Sequence, residues 1–383
     1  MSEKGLAGLK VISFGTAIAG NVTAMTLAEL GADVIKVEAP GRPDPLRVRI
    51  YPDLPRVVEP SGAETNIMFA GYSRSVRDVA LDMKDPGDLD RFGRLLAVAD
   101  VLVDNFATGV LDRWGLDAGR LRHLNPALVH VSVSGYGRTG PRAHHLAYGS
   151  NINAFLGLSR VWAPHGTQFD YTAVGHALIA VFAGLAHRDR TGGGVAVDLA
   201  QTEAGGALMA PLYLDYLVNG GAGWPGPNEV PGSPLSGVFA CRGHDEWLAV
   251  ELEDDEDWRL ACALLGEPAL AERWGEPAAV AGLRAAFASW CATRTPHQAM
   301  FAAQRAGLAA GAVHDSEDLY LDAQHRSRGF VVEVDHPDLG PLEYPAPIHR
   351  FGRTDVRVRR PSPRVGEHTA EVLRDWLGPH VAP

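Results

Sequence analysis

The strongest constraint on the fold is a strand, turn, helix and second strand packed into the start of the chain. Leu9 to Phe14 is a short apolar run with β-branched members, and Gly15 to Gly20 is a Gly-containing turn. Asn21 to Leu30 then carries Val22, Met25, Leu27 and Leu30 at helical spacing. Gly31 stands where a helix C-cap glycine belongs, and Asp33 to Glu38 is a second strand. Strands joined through a crossover helix pair in parallel, so this opening predicts a βαβ unit.

The pattern recurs. Val79 to Leu81 is a strand, and Asp85, Pro86 and Asp88 supply an N-cap, an N1 proline and an early acid for a helix over Leu89 to Val98. Val101 to Val103 and Leu128 to Val133 are further strands, with a helix near Ala118 to Leu124 between them. Such alternation predicts an α/β, doubly wound, mostly parallel sheet covered by helices. Tyr171 to His187 is apolar nearly all round, which predicts a buried helix that ends at Arg188, Arg190 and Gly192. Val195 to Leu199 predicts a strand, and Thr202 to Val218 a single helix.

The Gly/Pro-rich stretch 219–234 predicts a boundary. Beyond it, strands Gly237 to Cys241 and Trp247 to Glu251, with helices around Asp257 to Leu265, Ala278 to Thr293 and Pro296 to Ala306, predict a smaller α+β domain over 225–315. From Tyr320 the pattern turns to strand and turn, with Val331 to Val334, a Pro-rich extended stretch to Pro363 and a last helix over Thr369 to Leu377.

Charge narrows the partners. The 46 Asp+Glu outweigh 35 Lys+Arg for a net charge of −11, which argues against general nucleic-acid binding. Any polyanionic ligand must be met by local cations. Only four of the basic residues are Lys: Lys4, Lys10, Lys36 and Lys84. The three cysteines form no C-x-x-C pair, the N-terminus carries no apolar signal core, and no membrane-like run is found, so a cytoplasmic protein without a membrane partner is expected.

Several motifs fall short of a named chemistry. Gly15 to Gly20 follows a strand and opens a helix, with Glu38 ending the next strand, but Ala17 occupies the middle-glycine position of a dinucleotide fingerprint. A P-loop fails because Asn21 and Val22 replace the Lys-[Ser/Thr] pair. An anion at the helix N-terminus is still favoured there. Asp170 stands just before the predicted buried helix, where it suits an N-cap and equally a carboxylate nucleophile kept ionised by the helix. His144, His145 and Tyr148 form a polar loop. The run Glu251 to Asp257 suits a solvated helix start better than a metal site, and no metal is expected. The usual hydrolase and zinc signatures are missing from the sequence.

Taken together, several segments resemble the family III coenzyme A transferases, the group that includes formyl-CoA transferase, carnitine CoA-transferase and the α-methylacyl-CoA racemases. The resembling pieces are Leu6 to Ile12, Leu30 to Glu38, the spaced Gly41, Asp44 and Arg47, Leu81 to Lys84, Asp104 to Phe106, Leu111 to Gly115, Asn125-Pro126, Ser134 to Gly137, Arg190 to Gly192, Val197-Asp198 and Gly366 to Thr369. They lie in family order over nearly the whole chain.

The resemblance implies that Asp170, 22 residues before Gly192, attacks the thioester of an acyl-CoA. An acyl-aspartyl anhydride and then an aspartyl-CoA thioester would follow, with a small carboxylic acid as acceptor. It implies CoA contacts at Ala19, Leu81, Asp82, Met83, Lys84, Asn105, Phe106, Ala107, Arg113, Ala147 and Tyr148. Ile18 and Ala39 replace the family's glutamine and arginine, so Arg42 or Arg47 would grip the adenosine phosphates. CoA thioester would be a substrate, with no permanently bound cofactor. Residues 219–226 are the candidate mobile loop, and Asn151 and Trp162 join Tyr148 as candidate pocket residues.

The racemase branch needs a His-Asp pair where this chain has Tyr148 and Gly149, so α-methylacyl-CoA racemase or acyl-CoA lyase ranks below transfer. An NAD-binding oxidoreductase or an inactive CoA-binding protein ranks lower still. The implied fold is an interlocked homodimer of Rossmann-like subunits. Its large domain would be built from 1–220 and 320–383, with the smaller domain inserted between them.

Overall fold

The computed structural model describes residues 5–47, 66–161, 166–221, 233 and 235–379. They form two compact units, Met1–Pro211 with Arg326–Pro383, and Leu212–His325.

The first unit begins with β1 (Lys10–Phe14), α1 (Ala17–Glu29), β2 (Asp33–Glu38), α2 (Ile67–Tyr72), β3 (Arg77–Ala80), α3 (Pro86–Ala97) and β4 (Val101–Asp104). There follow α4 (Val110–Arg113), α5 (Ala118–Leu124), β5 (Val129–Ser134), α6 (Gly149–Phe155), α7 (Leu158–Val161), α8 (Gln168–Thr191), β6 (Val195–Ala200) and α9 (Gln201–Leu208), and then α10 (Ala210–Asn219), most of which belongs to the second unit. The six strands form one parallel sheet in the order β3-β2-β1-β4-β5-β6, which reverses between β1 and β4. In such sheets the crevice at the carboxyl ends of the strands, at the reversal, is where ligands bind.

The sheet separates two apolar layers. One joins Ile12, Ile35, Val79 and Leu102 to α3, α5 and the last helix of the chain. The other joins Val11, Val34, Val103 and Val131 to α1 and α8. The expected caps are present, since Asp85 accepts from Asp88 N and Gly192 adopts φ 75° at the end of α8.

Helix α8 departs from expectation in two ways. It starts at Gln168, so Asp170 lies inside its first turn and the N-cap position falls to Thr167. It is also buried on one stripe only. Asp170, Ala173, Val174, Ala177, Val181 and Gly184 recur every three or four residues, while Ile179 is 65% exposed on the outer face. A Cβ on Gly184 would lie 2.5 Å from Val129 Cγ1, so the helix lies hard against β5. By length and composition α8 could cross a membrane, but its seat on the sheet gives an apolar helix of this kind a different partner. The single helix expected over Thr202 to Val218 is broken at Met209 into α9 and α10, because Pro211 cannot continue a helix that already spans Ala207.

The second unit is an antiparallel sheet backed by helices. It contains β7 (Leu235–Ala240), β8 (Trp247–Leu252), α11 (Asp255–Leu265), α12 (Pro277–Cys291), α13 (Pro296–Arg305), β9 (Ala309–Val313) and α14 (Ser316–Leu321). Strand β9, mostly Ala and Gly, carries no alternation and escapes a pattern search. The acidic run caps α11: Asp254 accepts from Glu256 N and Asp257 N. The three thiols are free and packed in this core, where burial, with Cys241 beside it, pushes Cys291 up to about 12.

The tail holds more helix than expected, with α14 and α15 (Ala323–Ser327) replacing strand and turn around Tyr320. Asp315 explains α14, since its side chain accepts from Asp318 N in a capping box. The hairpin β10 (Val331–His336) with β11 (Gly340–Pro345) and then α16 (Thr369–Leu377) complete the first unit. Helix α16 is tied to the early strands: Trp376 Nε1 donates to Asp33 at 2.7 Å, and Arg77 bridges Asp33, Glu371 and Asp375.

Candidate active site

The β1–α1 turn is built by close approach. A Cβ on Gly15 would lie 2.5 Å from Gly20 C, and one on Gly20 would lie 2.4 Å from Gly15 Cα and 2.7 Å from Asn105 Oδ1. Both positions therefore require glycine. Ala17 takes the left-handed conformation at φ 52°, a strain in the turn itself. Asn105, at the end of β4, clamps this turn by accepting from Thr16 N at 2.8 Å and donating to Thr16 O at 2.8 Å. Buried Lys36 donates to Gly15 O and Asn21 Oδ1 and pairs with Asp44 at 2.8 Å.

Arg47 is not a phosphate grip. It is 2% exposed, forked on Glu38 at 2.8–3.2 Å, within 3.5 Å of Asp78, and stacked 3.6 Å over the ring of Phe69. Two buried carboxylates hold this guanidinium, so it is not offered to a ligand. Burial pushes Glu38 up, but Lys36, the bond shared with Asp78 and Arg47 outweigh it and hold its carboxyl at about 2. Burial and the neighbouring Glu38 raise Asp78 well above the carboxylate range. Of the two alternatives, Arg42 is the exposed one.

The remaining positions around the crevice come together. Leu81 and Met83 are buried in one cluster with Phe14 and Leu111, and Phe106 and Trp114 pack against it. Phe106 and Trp114 meet edge to face at 5.4 Å. Asp82 and Lys84 alternate outward and are exposed, as are Ala107 and Arg113. The motif thus divides by face, with apolar members anchoring the loops and cations left to solvent. Ala19 is buried in the first turn of α1.

A second group surrounds Asp170. The residue is 8% exposed, and its Oδ1 accepts from Gln201 Nε2 at 2.7 Å, at the start of α9. A Cβ on Gly149 would lie 2.5 Å from Oδ2, so α6 approaches that oxygen with bare backbone. Burial pushes the Asp170 carboxyl up and the Gln201 amide draws it partly back, so the low pKa expected of a helix cap is not found. Ala147 packs on Gly135, whose Cβ would lie 2.0 Å from its own. Tyr148 is 64% exposed, and its N donates to Asn151 Oδ1.

The two groups are linked through α8. Val174, one turn beyond Asp170, packs with Val22 and Ile18 of α1. His144 and His145 are exposed, with His145 edge-on to Tyr136. No metal-holding group of three His, Cys, Asp or Glu occurs among the described residues. Trp162 and residues 222–226 of the candidate loop lie outside the described residues.

Two features escaped the sequence. Gln201 directly follows β6, and the carboxyl ends of parallel strands are where such a residue could have been sought. The other is a polar cluster under the Ser134–Gly137 loop. Asp104 accepts from Arg138 at 3.1 Å and meets His130 at 2.7 Å, and Asp198 accepts from Arg138 N at 2.9 Å.

The chain is similar to known proteins over nearly its whole length. The CoA-transferase family III model matches residues 6–369. The chain is 32% identical to a probable CoA-transferase of Mycobacterium tuberculosis over 97% of its length, but spans only 48% of that relative. It is 30% identical to the succinyl-CoA–L-malate CoA-transferase beta subunit of Chloroflexus aurantiacus, over 97% of this chain and 94% of that one. A crystal structure of a CaiB/BaiF family protein from Brucella suis superposes with a TM-score of 0.84 at 26% identity, covering 98% of this chain and 100% of that one. With its family match running from the first strand to the last helix, the chain belongs to the CoA-transferase family III.

Proposed function

We propose that the protein transfers CoA from an acyl-CoA donor to a small carboxylic acid, with Asp170 as nucleophile. The observation that carries this is the carboxylate itself. It is buried, held by one donor on Oδ1, and faced on Oδ2 by a glycine that sets no side chain against it. A desolvated carboxylate is a stronger nucleophile than a hydrated one, and the exchange needs no metal or ATP because each step trades one acyl bond for another of similar energy. Gly149 also favours transfer over racemisation, since a side chain at that position would lie against Asp170 Oδ2.

CoA would lie over the β1/β4 reversal in a Rossmann-like large domain. Its phosphates would meet Lys84, Arg113 and Arg42, and its chain would run past Ala19, Leu81, Asp82, Met83, Asn105, Phe106 and Ala107 toward Ala147 and Tyr148. The name of the Chloroflexus relative favours succinyl-CoA as the first donor to assay. CoA is a substrate in this reading, and no resident cofactor takes part. A cytoplasmic homodimer is proposed, supported by α10, on which no residue is buried and Tyr213, Leu214, Tyr216, Leu217 and Val218 are all exposed.

Incubation with succinyl-CoA and hydroxylamine tests the reading by converting a trapped acyl-Asp170 to its hydroxamate. Retained transfer in Asp170→Ala would sink it.

A further inference from the structure

The two oxygens of Asp170 are chemically distinct. Oδ1 accepts the 2.7 Å bond from Gln201 Nε2, whereas Oδ2 faces the bare Cα of Gly149. Gln201 is 7% exposed, and its helix is anchored by Thr202 N donating to Gly135 O at 3.0 Å. An ionised carboxylate only accepts, so the amide must present its NH2.

Resting on Asp170 as nucleophile, we propose that Gln201 is the oxyanion donor for the protein's own carbonyl, serving attack at Cγ of Asp170 and not attack at the substrate's carbonyl. In the first step Oδ2 bonds to the acyl carbon of the donor, the C–S bond breaks, and CoA leaves as thiolate with the electron pair. Oδ1 is then the carbonyl oxygen of the aspartyl half of a mixed anhydride. Return of the thiolate to Cγ forms the Cγ–S bond and pushes the carbonyl pair onto Oδ1. Collapse breaks Cγ–Oδ2 and releases the donor acid, leaving aspartyl-CoA.

The acceptor carboxylate next attacks Cγ and places charge on Oδ1 a second time, before thiolate is expelled. A final attack of thiolate on the acceptor's acyl carbon restores the carboxylate. In the first and last steps the developing charge sits on a substrate oxygen, which Gln201, bonded to Oδ1, does not touch. In the middle steps the charge grows on the oxygen Gln201 already holds, and a preorganised donor strengthens as that charge appears.

Gln201→Met keeps the side-chain length and removes the donor. At pH 8, exchange of labelled free CoA into the donor acyl-CoA requires only anhydride formation, while complete transfer requires both attacks at Cγ. Exchange is expected within about threefold of wild type, transfer down about 10²–10³-fold, the cost of one oxyanion donor. Intact mass should then find the acyl adduct on Asp170 in place of the CoA adduct. Retained exchange also certifies a folded variant. Transfer and exchange falling together, or transfer unchanged, would overturn the proposal. Absence of both exchange and any Asp170 adduct in the wild type would overturn the nucleophile reading instead.

Discussion

A Cβ on Gly149 would lie 2.5 Å from Oδ2 of Asp170, closer than a side-chain carbon can approach a carboxylate oxygen. In the proposed reaction the backbone of α6 therefore shapes the space into which the acyl carbon comes. Gly149→Ala should turn the carboxylate off its attack line and lower kcat about 10–100-fold, with CoA affinity unchanged. Steady-state rates beside CoA titrations check this, and a wild-type kcat would show that the contact is harmless.

Because burial raises the Asp170 pKa, ionising it costs folding free energy. A carboxyl raised on folding stabilises the native state below its unfolded pKa, and that stability is lost as pH rises through the folded value. Asp170→Asn should therefore raise Tm at pH 7.5 while lowering kcat at least about 10⁴-fold. A lower Tm would contradict the sign.

With Asp170 as the proposed nucleophile, the same shift should set the acid limb of kcat/KM, since only the ionised form attacks. The limb should lie above the ordinary aspartate value and move further up in Gln201→Met, which loses the bond that draws it down. A limb that does not move between the two proteins would assign it to another group.

Arg47 and the exposed cations should separate cleanly. Glu38→Gln leaves the buried guanidinium without its forked partner and should cost about 3–5 kcal/mol of stability. Asp78→Asn mimics the form that burial favours and should cost far less. Lys84→Ala and Arg113→Ala should leave stability alone and each weaken CoA binding several-fold at low salt, an effect that fades as salt screens the phosphates. Urea unfolding and calorimetric CoA titrations distinguish the two outcomes.

The exposed apolar face of α10 should be covered in solution. Leu214→Glu with Leu217→Glu is expected to shift the mass measured by light scattering from dimer to monomer. An unchanged mass would place the subunit contact elsewhere.

The sheet was legible because Val11-Ile12 and Val34-Ile35 with Val37 give two short strands rich in β-branched residues with a helix between them. Such runs occur where a strand is covered on both faces. Asp170 was legible as a residue but not as a setting, for its helix begins at Gln168 without a capping side chain. Arg47 misled for a physical reason. Sequence marks a cation beside acids as available, and only the fold discloses that Glu38 and Asp78 have already taken it. Gln201 was silent because one amide on a helix start carries no pattern.

Gly366 N donates to Asp78 Oδ1 at 2.6 Å, His368 Nδ1 accepts from Asp78 N, and Thr369 Oγ1 accepts from Ala80 N. These partners are separated by about 290 residues. On a ribosome adding 5–20 residues per second, β3 must wait roughly 15–60 s for the segment that completes it. Through that interval the nascent sheet has an unfinished edge, and a contact of such long range slows folding further. Synthesis itself, more than the stability of the finished fold, is then the stage at which this enzyme is most exposed to aggregation. Extra chaperone during expression should raise soluble yield without changing Tm.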